Sequence, residues 1–218
     1  KLEIFTFFEP MIEVGGDLYD IDLINEKHYR IFLADAVGHG IQAALITMLI
    51  KSEYERIKHF RLSAKDSIET LNRQFVYIYE NLNTYFTCFL IDIDLEAMEI
   101  TYVSAGHPFQ ILLAGDEIIR LTSRGTLFGI EAHQTFDMET KRIEPGNRIY
   151  LYTDGIIEAY NESKKLYGIE NFTESIMRNK SHSLRKASEN ILIDVNKWRG
   201  SADRNDDVTL IGIEIKQQ

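Results

Sequence analysis

Most β-like segments of this chain are joined by turns too short to contain a helix, and that constrains the fold more than any other feature. Residues 18–24 and 28–34 are separated only by Asn25-Glu26-Lys27. Residues 86–92 and 98–104 flank a turn at 93–97, and residues 110–113 and 117–121 flank Gly115-Asp116, a dipeptide suited to a tight hairpin. Such connections force neighbouring strands to run antiparallel, because a parallel crossover needs about a dozen residues or more. Further strands are predicted at 2–9, where Pro10 ends the pattern, at 136–140, at 148–153 after the turn Glu144-Pro145-Gly146-Asn147, and at 208–215.

Helical patterns arrive in pairs between these blocks. Residues 41–57 carry Ile41, Ala44, Leu45, Met48 and Leu49 at helical spacing, which reads as a core-facing stripe. Ser63 with Asp66 three residues on predicts the N-cap of a second helix, with the stripe Ile68, Leu71, Phe75, Ile78 and Leu82. A second pair is predicted at 169–177 and 184–198. The latter presents Leu184, Ala187, Ile191, Val195 and Trp198 on one face, with Gly200 just past its end. The expected fold is α+β, a four-layer α-β-β-α sandwich of two antiparallel sheets flanked by helices. A chain of 218 residues can bury one sizeable core, so 1–218 reads as a single domain. It enters a β pattern almost at Lys1 and is expected to be excised from a longer regulatory protein.

The charge balance narrows the partners. A formal net charge of −10, from 24 basic and 34 acidic residues, argues against a nucleic-acid surface. No apolar run approaches the ~20 residues of a membrane span, and no signal peptide opens the sequence. No membrane contact is expected from this domain, and a cytoplasmic location is, whether or not the parent protein is tethered elsewhere. Cys88, the one cysteine, lies in an apolar run and reads as a buried thiol in a reducing compartment.

Four strand edges carry carboxylates beside breaks in the apolar pattern. Asp17 follows Gly15-Gly16; Asp35 ends the run 29–34 and precedes Gly38-His39-Gly40; Asp154-Gly155 follows Tyr150-Leu151-Tyr152-Thr153; and Asp206-Asp207 opens the last strand. Glycine lets backbone approach an ion where a Cβ would obstruct it. Taken singly, each of these reads as turn chemistry. If Asp17, Asp35, Asp154 and Asp206 converge, they form an oxygen-only cage suited to Mg2+ or Mn2+. Two ions about 3.5–4 Å apart could share a hydroxide that attacks a phosphoryl group in line, with no protein nucleophile.

The segments EVGGDLYD, DAVGHGIQAAL, YVSAGHP, LYTDGIIEA and DDVTL occur in this order. Together they resemble the bacterial stage II sporulation protein E-like phosphatases, a branch of the metal-dependent type 2C (PPM) serine/threonine phosphatases, over roughly residues 10–214. The resemblance implies two Mn2+ or Mg2+ ions and hydrolysis of phosphoserine or phosphothreonine on a protein. By position, Asp35 resembles the bridging ligand and Ala36 the donor of a backbone carbonyl. Asp17 resembles the acidic ligand of one metal, Asp154 and Asp206 those of the other, and Asp207 the neighbouring position, with either of the two adjacent acids able to coordinate. A phosphorylated anti-sigma-factor antagonist of a partner-switching pathway is the implied substrate, and a dimer through an upstream region is a further expectation. The chain departs from the eukaryotic enzymes in carrying Glu13 near the place of their phosphate-gripping arginine, and Val37 stands where a smaller residue is usual.

His39 and His107, the histidines of GHG and AGHP, could act as general acids, orient a ligand or satisfy a turn carbonyl. Asp92-Ile93-Asp94-Leu95 echoes the aspartyl-phosphate phosphatases, but Leu95 breaks their motif and a hairpin follows, so a turn is expected. Gly15-Gly16-Asp17 echoes the Gly-Gly-Asp nucleotide cyclases, but Leu18-Tyr19 replaces their Glu-Phe. A competing class is a catalytically weak phosphoprotein-binding module. Against it, a like-charge cluster is costly to keep without a cation.

Overall fold

The computed structural model describes residues 1–38, 40–79, 82 and 84–217. The strands are β1 (Leu2–Glu9), β2 (Asp17–Asn25), β3 (His28–Ala36), β4 (Phe86–Asp94), β5 (Glu99–Ala105), β6 (Gln110–Ala114), β7 (Glu117–Leu121), β8 (Met138–Arg142), β9 (Arg148–Tyr152) and β10 (Val208–Ile215). The helices are α1 (Ile41–Ile57), α2 (Ala64–Tyr79), α3 (Asp154–Ile157), α4 (Gly168–Asn179) and α5 (Leu184–Arg199). They form two five-stranded sheets, β1-β10-β9-β6-β7 and β2-β3-β4-β5-β8, flanked by helices. Every pairing whose register is described is antiparallel, which the short connections require for β2–β3 and β4–β5. The α+β class with two antiparallel sheets is as the sequence predicts.

The chain divides into two compact units, one of Lys1–Ile12, Gln110–Arg120 and Glu144–Gln218 and one of Glu13–Phe109 and Leu121–Ile143. The first unit is built on β10, which pairs with β1 along its whole length from Glu9↔Val208 to Leu2↔Ile215. A Cβ on Gly212 would stand 2.8 Å from Ser188 Oγ and 3.1 Å from Leu184 Cδ1, so glycine there is what lets α5 lie close on β10. At the end of the β6–β9 ladder the Gln110 amide imitates a strand. Its Oε1 accepts from Tyr152 N at 2.6 Å, and its Nε2 donates to Tyr152 O at 3.2 Å. That clamp fixes the end of β9, where the chain turns into α3.

In the second unit α1 and α2 cover β2–β5. Phe32, Ile50, Tyr54, Ile68, Leu71 and Phe75 belong to one buried cluster, with Phe32 and Tyr54 stacked at 4.3 Å. The start of α2 is held from below by a buried charge. Arg30 pairs with Asp92 through Nε and Nη2, both at 2.6 Å, and also donates to Ser67 Oγ and the Leu62 carbonyl, each at 2.8 Å. With its donors met in this way, the buried pair ties β3 and β4 to one helix register. The expected cap is present: Ser63 Oγ accepts from Asp66 N at 3.1 Å.

Several expectations change. Of the α1 stripe read as core-facing, Ala44 is buried and Leu49 packs against the core, but Ile41, Leu45 and Met48 point outward, 81%, 62% and 62% exposed. The buried face instead carries Ala43, Ala44, Ile46, Thr47, Ile50, Glu53, Tyr54 and Ile57. The first half of α1 is apolar on two faces, so periodicity could not choose between them. Small Ala43 decides, because its Cβ already lies 3.2 Å from where a Gly16 Cβ would stand. The α2 stripe is buried through Phe75, but Ile78 and Leu82 are exposed. The strand expected at 136–140 starts at Met138, since Phe136 turns into the core beside Phe128. The turn expected at 93–97 begins later. Asp94 ends β4, and its Oδ1 accepts from Glu96 N at 2.8 Å and Ala97 N at 2.9 Å. Asp94 is thus a turn cap and Asp92 a salt-bridge partner, which leaves the Asp-x-Asp reading without a nucleophile.

Candidate metal centre

In the second unit Asp17 opens β2, and its register partner on β3 is Asp35. Facing residues on adjacent antiparallel strands set their Cβ atoms about 4.5–5.5 Å apart, and like charges so placed repel. Asp17 is buried and Asp35 half-buried. Strand β3 runs past the 28–34 read from the sequence, through Asp35 to the buried Ala36. The Ala36 N–H donates to the Gly16 carbonyl at 3.1 Å, which brings the glycine turn against the end of β3. A Cβ on Gly16 would stand 2.9 Å from the Ala36 carbonyl oxygen, so only glycine permits this approach. On the other side of β3, Asp35 faces Thr87 of β4. Thr87 Oγ1 is 2.7 Å from His107 Nδ1, which places the buried His107 one residue removed from the aspartate pair. His39 lies outside the described residues. The glycines around it, Gly38 and Gly40, have φ of 99° and 75°, and the Gly40 carbonyl accepts from Ala44 N at 3.0 Å to open α1.

In the first unit Asp154 ends the β9 segment and begins the one-turn helix α3. The Thr153 Oγ1 accepts from Thr209 N at 3.1 Å, tying this turn to the start of β10. A Cβ on Gly155 would lie 2.9 Å from the carbonyl carbon of Asp207 and closer still to its oxygen. The two acidic turns therefore meet closely at the Gly155 backbone. Within Asp206-Asp207 the two carboxylates diverge in role. Asp207 Oδ1 accepts from Met11 N at 2.6 Å and holds the end of the β1 segment, whereas Asp206 Oδ1 accepts from Asp207 N at 2.9 Å and its charge acts on Asp154. Burial first, then the charges of Asp206 and Glu158, push the Asp154 carboxyl up from 3.8 to about 6.

Each of the two clusters fits a hard divalent cation by chemistry. Their donors are carboxylate and carbonyl oxygens, and each concentrates negative charge in a partly desolvated place that a cation would relieve. Among the described residues, no group of three or more His, Cys, Asp or Glu side chains is drawn together tightly enough to hold an ion by itself. Sequence reasoning missed Thr47, Thr87, Met11 and Glu158 as neighbours of the aspartates. Only Glu158 left a signal, four residues after Asp154 and so on the same side of a helical turn.

The Asp154 shift has a consequence for the metal-free protein. A carboxyl raised in the folded state keeps its proton between about pH 4 and pH 6, where the unfolded chain has released it. Its contribution to stability is full below about pH 4 and is lost as pH rises to about 6. Asp154→Asn should flatten that slope and raise the metal-free thermal midpoint at pH 7.5 by about 2–4 °C, for a gain of about 1 kcal/mol. Thermal scans of both proteins across this range decide it; parallel curves would mean that Asp154 is not desolvated.

A sequence model of one family, described as Stage II sporulation protein E (SpoIIE), matches residues 25–216. The chain belongs to the SpoIIE family. The matched span contains Asp35, Asp154, Asp206 and Asp207 and begins downstream of Asp17. Among curated relatives, the phosphoserine phosphatase RsbP of Bacillus subtilis is 29% identical over 72% of this chain and 40% of its own length. The chain spans well under half the length of the first curated relatives it matches, 37% of one and 40% of another. Among solved structures, the SiaA PP2C domain of Pseudomonas aeruginosa superposes with a TM-score of 0.87 at 21% identity, covering 97% of this chain and 85% of that one. RsbX, solved in complex with magnesium, gives 0.73 at 20% identity, covering 99% and 96%. At these identities the structures establish a shared fold for this SpoIIE chain.

Proposed function

We propose that this SpoIIE chain is a metal-dependent protein phosphatase domain, spanning 1–218, that hydrolyses phosphoserine or phosphothreonine on a protein. The observation that carries the proposal is the facing pair Asp17 and Asp35, set beside the Ala36 carbonyl by a turn that only glycine allows. Family membership supports it, as do relatives named phosphoserine phosphatase. In this reading Asp17, Asp35 and the Ala36 carbonyl would hold Mn2+ or Mg2+, with Asp35 the ligand that would be common to both ions. Asp154 and Asp206 would serve as further metal ligands, and Asp207 keeps its turn in place through Met11. When bound, the two ions supply a water nucleophile at neutral pH and neutralise charge on the phosphoryl oxygens. The protein groups orient and hold; none attacks phosphorus.

The substrate proposed is a phosphorylated anti-sigma-factor antagonist, met through surfaces outside the aspartate cluster, since Glu13 cannot grip phosphate. No helix among the described residues is long and apolar enough to cross a membrane. The test is phosphate release from a phosphoserine-bearing antagonist protein by the purified domain, first after EDTA treatment and then with added Mn2+ or Mg2+. Release is expected only with the divalent ion. No release under either ion, with the protein folded, overturns the proposal.

A further inference from the structure

We propose that Thr47 is a positioning residue for Asp17: its hydroxyl, reaching from α1, fixes the Gly15–Gly16 turn that carries the aspartate. This rests on the phosphatase reading, in which Asp17 is a metal ligand.

Thr47 is buried on the inner face of α1, among Ala43, Ala44, Ile46 and Ile50. A threonine there ordinarily returns its hydroxyl to the carbonyl one turn back. Thr47 Oγ1 does lie 3.0 Å from the Ala43 carbonyl. Its closest acceptor is nevertheless the Gly16 carbonyl at 2.8 Å, with the Gly15 carbonyl at 3.5 Å. A hydroxyl has one proton to give, and the shortest contact directs it to Gly16.

The Gly16 carbonyl has two acceptor sites, and the Ala36 N–H at 3.1 Å takes one of them. Thr47 takes the other. The peptide preceding Asp17 is therefore held between the end of β3 and the inner face of α1. It has no side chain with which to be held otherwise: a Cβ on Gly16 would meet the Ala36 oxygen at 2.9 Å and the Ala43 Cβ at 3.2 Å. A turn of two glycines is also the most permissive stretch a backbone can offer. Its carbonyls are among the handles a glycine turn offers, and Thr47 holds one of them.

Loss of the hydroxyl should loosen Asp17 without touching any charge. Groups that orient a metal ligand typically account for about 10–100-fold in metal affinity. Thr47→Val keeps the shape of the side chain and removes the donor; Thr47→Ser keeps the donor and removes a methyl group. By calorimetric titration of the EDTA-stripped protein with Mn2+, Thr47→Val is expected to weaken the tightest binding by about 10–100-fold, and Thr47→Ser to bind within about 3-fold of wild type. The phosphatase activity lost in Thr47→Val should return as Mn2+ is raised, which a packing defect would not produce. Thermal midpoints of the stripped proteins separate folding from binding, and Thr47→Ala stands in should the valine variant not fold. Wild-type Mn2+ affinity in the valine or alanine variant, or equal loss in the serine variant, overturns the proposal. A wild-type protein that neither binds Mn2+ nor releases phosphate overturns the phosphatase reading itself, and this inference with it.

Discussion

Asp35→Asn is expected to lower Mn2+-dependent phosphate release by about three orders of magnitude, equivalent to about 4 kcal/mol of transition-state stabilisation. Asp35 occupies the middle of the arrangement, with Asp17 as its register partner on one side and Thr87 on the other. Asparagine keeps the shape and one oxygen, but it removes the charge that would let one carboxylate serve two ions. The fold should persist, because one of two like charges facing each other across a strand pair has gone. A thermal midpoint at or above that of wild type, together with the loss of turnover, would match this account. Undiminished turnover would remove Asp35 from the proposed centre.

Gly155→Ala is expected to be nearly as severe for a different reason. The new methyl group would be driven into the Asp207 carbonyl, and backbone on both sides leaves no flexible side chain to yield. Asp154 begins α3 on one side of this contact, and Asp206-Asp207 opens β10 on the other. Relief requires the two turns to part, at a cost of roughly 3 kcal/mol or more. For a chain of this size that lowers the thermal midpoint by about 6–12 °C. Mn2+-dependent activity should fall with it even at temperatures where the variant stays folded. Gly115→Ala makes a control, since a Cβ there meets nothing within 4 Å and only its positive φ of 61° is strained. Equal midpoints for the two variants would show that the Gly155 contact is not rigid.

The sheets were legible in the sequence because hairpin turns and alternation are local signals. The two strands 2–9 and 208–215 were bounded as found, and they pair across almost the whole length of the chain. The acids were legible too, through the glycines beside them. What could not be read was the partner of each. Nothing local says that Asp17 faces Asp35, that Asp207 reaches back to Met11, or that His107 rests on Thr87, because these are matters of register and closure. The inner face of α1 was misread because Ile41, Leu45 and Met48 outweigh Ala43 and Thr47 in hydrophobicity, while size and hydrogen bonding decided the contact. Thr47 left no trace at all: a threonine within an apolar helix has no pattern that marks its acceptor.

Gly16 and Gly155 play the same part in their separate units, each letting an acidic turn meet a backbone carbonyl at a distance no Cβ allows. Every glycine codon begins GG, and each single-nucleotide change that alters the residue encodes one with a Cβ or a stop. Neither position therefore has a harmless one-step neighbour, whatever the chemistry of the incoming side chain. The aspartates should tolerate exchange for asparagine with the fold intact, whereas a change at either glycine is expected to reach the fold before it reaches the chemistry. In mutational drift these two codons should be the quieter ones, held by geometry even in a lineage that had given up catalysis.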